Sequence, residues 1–302
     1  MRLITIAALA LLLQGVVLAQ SPAPGRVEYV RFLQATETRK LLGMGGNRLF
    51  VARKNGQVDV LDAGQNGQLL FSLQAKDAEG RALLGQPEAV AVSEDTAYVL
   101  DSDENRVVMY GLDGKYKGRF GGRSSEGGLS SPQGIAFAGG IVYVADTGNR
   151  RIQMYGDNGV FLSTLPIDSA PANKGLDEQK VPYRLDKPAA VAVDPRGQIY
   201  VLDASGGLFS DKSQVKVYAQ DGSHLRLLPK NGKPVALQMA HDGVYVADAE
   251  GYAVQKYDAS GRMVSYFGSR GDGRAQFMSL AGLALAGADV YVGDRERGLV
   301  HH

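Results

Sequence analysis

The sequence contains no cysteine, which excludes disulfide bonds and a lipid-modified cysteine as means of stabilising or anchoring the chain. Small exported domains usually need disulfides because their cores are small. A chain of 302 residues buries roughly three quarters of its unfolded surface and can be stable without them. Asn-x-Ser/Thr sequons are also missing, which favours a bacterial envelope over a eukaryotic secretory setting.

Charge of one sign is not in excess either. The formal net charge is +1, and basic residues are mixed with acidic residues along the whole chain. Nucleic-acid-binding domains usually carry a basic excess on one face, so no nucleic-acid partner is expected. After the first 20 residues, no apolar run approaches the length needed to span a membrane.

The first residues have the features of a secretory signal peptide. Arg2 supplies a positive charge, residues 3–13 are an apolar run, and Val17-Leu18-Ala19 offers small residues for cleavage. A membrane anchor is disfavoured because Gln14 and Gly15 interrupt a run that is already too short to span a bilayer. We therefore predict a signal peptide over residues 1–19, one domain over residues 20–302, and a secreted or periplasmic location.

A four-residue pattern, Tyr-Val-x-Asp, recurs along the chain at similar intervals. The copies are Tyr98-Val99-Leu100-Asp101, Tyr143-Val144-Ala145-Asp146, Tyr200-Val201-Leu202-Asp203, Tyr245-Val246-Ala247-Asp248 and Tyr291-Val292-Gly293-Asp294, after a degenerate copy, Phe50-Val51-Ala52-Arg53. The steps between the aromatic residues are 48, 45, 57, 45 and 46 residues. Repeats of this length made of short apolar runs indicate a radial array of small sheets.

The clearest repeat unit, residues 131–165, contains four short runs rich in β-branched and aromatic residues. Gly, Asn and Asp bound each run, so the unit is predicted to be an antiparallel four-stranded meander. The run Ile141 to Ala145 is apolar without alternation. This indicates a sheet that is buried on both faces, as when each blade lies between two others.

The last unit has three predicted strands and lacks an outer one. Residues 27–33 resemble an outer strand and precede the first complete unit. We predict that they pair beside residues 299–302 and close the ring, because an open ring would leave unpaired edges and exposed apolar faces. The expected fold is an all-β, six-bladed β-propeller of four-stranded antiparallel blades.

The unit from Pro132 to Phe161 resembles the NHL repeat. It contains Pro-x-Gly-Ile-Ala, then Tyr-Val-Ala-Asp-Thr-Gly-Asn-Arg-Arg-Ile-Gln-x-Tyr and a following Gly-x-Phe. The segments Asp101 to Tyr110 and Asp248 to Tyr257 are similar to it more loosely. The resemblance covers essentially all of the mature chain and implies a six-bladed β-propeller of the exported, bacterial type.

The recurrent acidic residues lie where each second strand is predicted to end, and they form the first candidate site. They are Asp101, Asp146, Asp203, Asp248 and Asp294, and Arg53 takes the sixth position. In one interpretation each carboxylate is structural and accepts backbone N–H groups of the following turn. In the other, the carboxylates form a ring at the channel mouth that holds a cation or a cationic ligand, which Arg53 would weaken.

Longer connections predict which face of the propeller binds a ligand. They are residues 74–86, 121–130, 166–187 and 206–213. Outer-to-inner connections and second-to-third-strand turns emerge on the same face of a propeller, and such loops commonly carry binding sites. We therefore assign the acidic positions, together with Arg53, Asn149, Arg150 and Arg295, to a ligand-binding face. Arginines there would bind an anionic ligand or pair with carboxylates of a neighbouring blade.

Two functions remain open. The first is a non-enzymatic scaffold that binds a protein, peptide or glycan in the cell envelope, because the chain has no phosphate loop, nucleophile elbow or paired catalytic motif. The second is a metal-dependent hydrolase or lactonase-like enzyme using Asp and Asn side chains at the channel mouth. We assign no catalytic residue and predict no cofactor, although the second function would require a divalent cation. The four histidines, His224, His241, His301 and His302, are not expected to converge on zinc.

Overall fold

A computed structural model describes most of the chain after its first residues. The described residues are 32–33, 38–53, 55–64, 67–123, 126–166, 184–204, 206–207, 210–211, 213–229, 231–297 and 299–302. The predicted signal peptide, residues 1–19, lies outside this part of the chain. Short strands dominate the architecture, and six four-stranded antiparallel sheets, here called blades 1 to 6, follow one another along the chain.

Each blade has an inner, a second, a third and an outer strand. In blades 1, 2 and 3 these are Thr38–Gly45, Arg48–Arg53, Val58–Asp62 and Gln68–Ser72; Pro87–Val92, Thr96–Asp101, Arg106–Gly111 and Tyr116–Gly121; and Gly134–Ala138, Ile141–Asp146, Arg151–Gly156 and Phe161–Leu165. In blades 4, 5 and 6 they are Pro188–Val193, Ile199–Asp203, Gln214–Tyr218 and His224–Leu227; Pro234–Ala240, Gly243–Asp248, Ala253–Tyr257 and Met263–Phe267; and Leu280–Ala286, Asp289–Asp294, Leu299–His301 and Phe32–Leu33.

Three small elements decorate this array. A short hairpin joins Gly206–Gly207 to Ser210–Asp211 within the predicted insertion of blade 4. A parallel pair of two-residue strands, Ser269–Arg270 and Gln276–Phe277, lies between blades 5 and 6. A single 3-10 turn, Thr147–Asn149, follows the second strand of blade 3. The largest predicted insertion, residues 166–187, falls mostly outside the described residues.

The last blade takes its outer strand from the beginning of the chain, as predicted. Phe32 pairs with His301 and Leu33 pairs with Val300, in antiparallel orientation. The inner strand of each blade packs against that of the next, and the inner strand of blade 6 packs against that of blade 1. The ring is therefore closed. The strand was predicted over residues 27–33, of which residues 27–31 lie outside the described part of the chain.

The core lies between the blades, as six apolar clusters in the described residues, one at each blade interface. The second strand of blade 2 shows how one strand serves two clusters. Ala97 and Val99 pack toward blade 1, whereas Tyr98 and Leu100 pack toward blade 3. Because successive side chains of a strand point to opposite faces, a strand buried on both faces must be apolar throughout. The continuous apolar runs of the sequence have this cause.

Buried tyrosine hydroxyls connect the blades to the loops around them. Tyr110, on a third strand, donates to the carbonyl oxygen of Gln74 at 3.2 Å, in the connection that precedes its blade. Tyr257, also on a third strand, donates to Gln255 Oε1 at 2.7 Å and lies 3.4 Å from the carbonyl oxygen of Pro229, in the connection that precedes its blade. Tyr98, on a second strand, donates across the interface to the carbonyl oxygen of Asp157 at 2.9 Å. Burial raises the pKa of all three phenols. These hydroxyls therefore remain donors at neutral pH.

We predict that stability at acidic pH depends on His301, in the strand that closes the ring. Its side chain is 3% exposed, and burial lowers its pKa from 6.5 to about 4. The unfolded chain therefore binds the proton more readily than the folded protein does. The free energy of unfolding should fall by roughly 1–3 kcal/mol as the pH drops from 6.5 to about 4. Urea unfolding at several pH values measures this loss.

In His301→Gln the pH dependence of stability should shrink. A weaker dependence of the free energy of unfolding on pH should remain, because burial also lowers the pKa of His224. Substitution of the exposed His241 by Gln is the matched control and should leave the slope unchanged. An unaltered slope in His301→Gln would show that this histidine is not the group that titrates.

Candidate functional site

The five acidic residues that end the second strands are buried, with at most 4% of each residue exposed. Their carboxylates accept backbone N–H groups from the segment that enters the inner strand of the same blade. Asp101, for example, accepts from Gly85 at 3.1 Å and Gln86 at 2.9 Å. The corresponding donors in the other blades are the N–H groups of Ser130, of Asp186 and Lys187, of Lys233, and of Met278 and Ser279.

This pattern corrects the structural interpretation made from the sequence. The donors were expected in the turn that follows the second strand. Asp248 and Asp294 do accept such bonds, from the N–H groups of Glu250 at 3.0 Å and Arg297 at 3.4 Å. The backbone donors that bind Asp101, Asp146 and Asp203 instead precede the inner strand, some 15 to 17 residues earlier in the chain.

A basic or amide side chain of the third strand also contacts each carboxylate. Lys216 Nζ lies 2.7 Å from Asp203 Oδ2, and both side chains are buried. In blades 2 and 3 an arginine directly opposite the aspartate makes this contact, two residues before the register position of Lys216, with Arg106 3.5 Å from Asp101 and Arg151 2.8 Å from Asp146. Gln255 Nε2 donates to Asp248 at 3.1 Å, and His301 Nε2 lies 3.7 Å from Asp294.

Blade 1 carries the same pair with its charges exchanged. Arg53 takes the acidic position at the end of the second strand, and Asp59 on the third strand lies 2.5 Å from its guanidinium. Asp59 pairs with Val51 across the strands, just as Lys216 pairs with Val201 in blade 4. Ser72 Oγ also donates to Asp59 at 2.7 Å. The degenerate repeat therefore keeps an ion pair between its second and third strands, with the positive and negative side chains exchanged.

The other residues assigned to this face are exposed. Asn149 Nδ2 donates to Asp146 at 2.8 Å. Arg150 lies 3.4 Å from Asp186, in the connection that leads into the neighbouring blade 4. Arg295 is exposed, and its backbone N–H donates to the carbonyl oxygen of Ser279 at 2.9 Å. A ligand-binding role for this face stays a prediction.

The described residues contain no group of three or more His, Cys, Asp or Glu side chains arranged to hold a metal ion. His224 lies in the outer strand of blade 4, and His301 lies in the third strand of blade 6. His241 lies in the turn between the inner and second strands of blade 5. These positions give no convergent set of ligands.

The central channel contains a cavity of about 500 Å³. Inner-strand residues of all six blades line it, together with Gly139, Pro195, Gly197, Gln220 and His241 from turns. Those turns join inner to second strands and third to outer strands. They lie on the face opposite the ends of the second strands. The cavity therefore opens away from the face on which the longer connections were predicted to bind a ligand.

One apolar side chain from each blade forms a ring in this cavity, here called the apolar collar. Its members are Met44, Val92, Phe137, Val193, Met239 and Leu285. Each is paired with the residue that precedes the repeat aromatic on the second strand, so all six occupy one register position. All six are partly exposed, in contrast to the buried residues around them.

The neighbouring register position, opposite the repeat aromatic, holds small residues in five blades. They are Gly43, Ala91, Ala136, Ala192 and Ala284. The inner strands approach closely here, and a Cβ atom on Gly43 would lie 2.4 Å from the carbonyl oxygen of Val90. In blade 5 the position holds Gln238. This side chain lines the cavity and is partly exposed.

Sequence reasoning missed both the apolar collar and Gln238. A signal for Gln238 was present, because it is a polar residue in the middle of an otherwise apolar inner-strand run, Val235 to Met239. The sequence contains no comparable signal for the apolar collar, since its members look like ordinary core residues in a strand buried on both faces. Only the ring decides which of them border the channel.

The geometry defines the class of the protein as a six-bladed β-propeller whose central cavity contains a ring of apolar side chains. A family model described as outer membrane protein assembly factor BamB matches residues 14–264. The match covers most of the chain, and the chain belongs to this family. No curated protein matches the chain. Membership of the NHL-repeat family in particular stays a prediction.

Several solved structures share the fold. A nidogen/laminin complex matches with a TM-score of 0.57 and 18% identity, covering 78% of this chain and 82% of that one. Virginiamycin B lyase from Staphylococcus aureus matches with a TM-score of 0.56 and 12% identity, over 86% and 78%. Kuenenia stuttgartiensis hydrazine synthase matches with a TM-score of 0.56 and 12% identity, over 93% and 97%. At these identities the likeness concerns the fold alone.

Within the described ranges, no helix has both the length and the apolar character that crossing a bilayer requires.

We predict that the buried pair of Asp203 and Lys216 is essential for stability. Replacing Lys216 by Met keeps the aliphatic stem and leaves the Asp203 carboxylate buried without its cation. Breaking a buried pair in this way should lower the free energy of unfolding by about 3–5 kcal/mol. Urea unfolding followed by circular dichroism measures the loss.

Lys115→Met provides the matched control. Lys115 pairs with Asp113 at 3.2 Å, but their side chains are 80% and 57% exposed. Exposed pairs of this kind contribute little, so this variant should unfold like the wild type. Equal behaviour of the two variants would contradict the structural importance of the buried pair.

Proposed function

We propose that this protein is an exported, non-enzymatic scaffold that binds a partner protein of the cell envelope at its central cavity. Export would follow from the predicted signal peptide over residues 1–19. We also propose that its repeats are of the NHL type, because the unit from Pro132 to Phe161 carries that motif. No cofactor is required for this function.

The observation that carries the proposal is the apolar collar. A cavity of about 500 Å³ falls within the size range of pockets that bind ligands, roughly 300–1,000 Å³. Its rim includes the exposed Gln220 and His241. A recess that combines a ring of apolar side chains with polar groups resembles protein interfaces, where an apolar side chain fills a central pocket within a polar surround.

The comparisons support a protein partner without identifying it. The family description names an assembly factor for outer membrane proteins, and one structural neighbour is a nidogen/laminin complex. Another neighbour is virginiamycin B lyase, so the same fold also serves enzymes, and fold alone does not decide between the two. The arrangement of the site therefore carries the argument. The recurrent carboxylates that a hydrolase would need are buried and already hydrogen-bonded within their own blades.

Site-specific photocrosslinking in cells tests the proposal. A photoreactive amino acid is placed at His241, at the rim of the cavity, or at Asn149, which is exposed on the opposite face. We expect a discrete, light-dependent protein adduct in the envelope fraction from position 241 and none from position 149. Adducts only from position 149 would assign binding to the other face.

A second substitution shows whether the adduct depends on the apolar collar. Leu285→Asn makes the collar polar while keeping the number and branching of the side-chain heavy atoms, and it should reduce the position-241 adduct about tenfold or more. Leu162 in the outer strand of blade 3 is 52% exposed, so Leu162→Asn is the control and should leave the adduct intact. An adduct that survives Leu285→Asn would exclude the cavity as the binding site.

A further inference from the structure

We propose that Gln238 recognises the main-chain amide of an apolar peptide segment bound in the cavity. This inference rests on the proposed scaffold function and gives its ligand a chemical class. The ligand would place an apolar side chain inside the apolar collar and a peptide group against the Gln238 carboxamide. Gln238 would thus determine specificity among apolar ligands.

The side chain of Gln238, which lines the cavity, has no hydrogen-bond partner among the described residues. Asp194 is held by its own turn, where it accepts the N–H groups of Arg196 at 2.9 Å and Gln198 at 2.8 Å. Gln220 lies against Gly197, where its amide nitrogen would be 2.6 Å from an added Cβ atom. Among the described residues that line the cavity, Gln238 is the polar side chain that comes from an inner strand, whereas Gln220 and His241 come from exposed turns.

The position of Gln238 in the repeat argues that the residue is not a packing residue. The same register position is filled by Gly or Ala in the other five blades. Leucine or valine would extend the surrounding apolar surface, whereas glutamine brings a polar group beside it. Gln238 is partly exposed, so water can satisfy its carboxamide in the free protein. A ligand that displaces this water loses affinity unless it supplies matching hydrogen-bonding groups.

The chemistry of the carboxamide selects the class of ligand. A glutamine side chain offers one acceptor oxygen and two donor hydrogens, which complement the N–H and C=O groups of a peptide bond. A purely hydrocarbon ligand would leave the carboxamide unpaired, and sites that hydrogen-bond their ligand discriminate strongly against analogues that lack the group. The apolar collar, one register position away, supplies the apolar half of the recognition.

A matched pair of probes tests this assignment on the purified full-length protein. N-butylhexanamide contains one secondary amide, and butyl hexanoate replaces its N–H by oxygen at nearly constant size. Displacement of the neutral dye Nile red measures the affinity of each. The wild type should bind the amide about tenfold more tightly than the ester. A capped tripeptide, N-acetyl-Leu-Phe-Leu-amide, should compete with both.

Gln238→Leu should lose the preference for the amide while binding the ester at least as well as the wild type does. Gln238→Met, which keeps an unbranched side chain, serves as a second variant in case leucine disturbs the fold. Gln220→Leu removes a carboxamide from the rim and should retain the full preference. Retained dye binding in each variant shows that its cavity is intact.

The outcomes separate the two proposals. If the wild type binds amide and ester equally, or if Gln238→Leu keeps the preference, the role of Gln238 is wrong and the scaffold function stands. If Gln220→Leu alone loses the preference, recognition lies at the rim and not at Gln238. If neither probe nor the tripeptide binds, the role of Gln238 is likewise refuted. The scaffold function is also refuted only if the position-241 crosslink is missing as well.

Discussion

The antiparallel pairing of Phe32–Leu33 with Leu299–His301 joins the two ends of the chain, and the rest of the propeller depends on it. A blade is apolar on both faces and is stable only between two others. In an open array the first and last blades would each expose one of these faces and a strand edge. Closure lets six blades form six interfaces. It also brings the six inner strands around one axis, which creates the central cavity.

The two ends of the channel have different physical character. At one end, buried carboxylates tie each second strand to the segment that enters the inner strand, and third-strand side chains such as Lys216 and Arg151 neutralise most of them. These carboxylates use their hydrogen-bonding capacity within their own blades. At the other end, the apolar collar and Gln238 remain partly exposed. The charged positions therefore stabilise the ring, and the weakly polar end is left open to a ligand.

This asymmetry gives the recurrent aspartates a structural role, whether or not their face also binds a ligand. A motif that returns in every repeat is most often a requirement of the repeat. Blade 1 illustrates this, because Arg53 and Asp59 preserve the ion pair with exchanged charges. A functional residue is expected to break the repeat without such compensation. Gln238 does so, since it replaces a small residue and gains no partner in the described part of the chain.

The sequence by itself determined the number of blades, the order of their strands and the closing role of the N-terminal strand. These follow from local patterns: the spacing of the aromatic residues, the apolar runs and the three-stranded pattern of the last unit. Only the tertiary structure decided where the cavity opens, that Lys216 and His301 contact the carboxylates, and that Gln238 lines the channel without a partner. Those facts depend on which residues of an inner strand border the axis and on contacts between different strands. No periodicity along the chain encodes either.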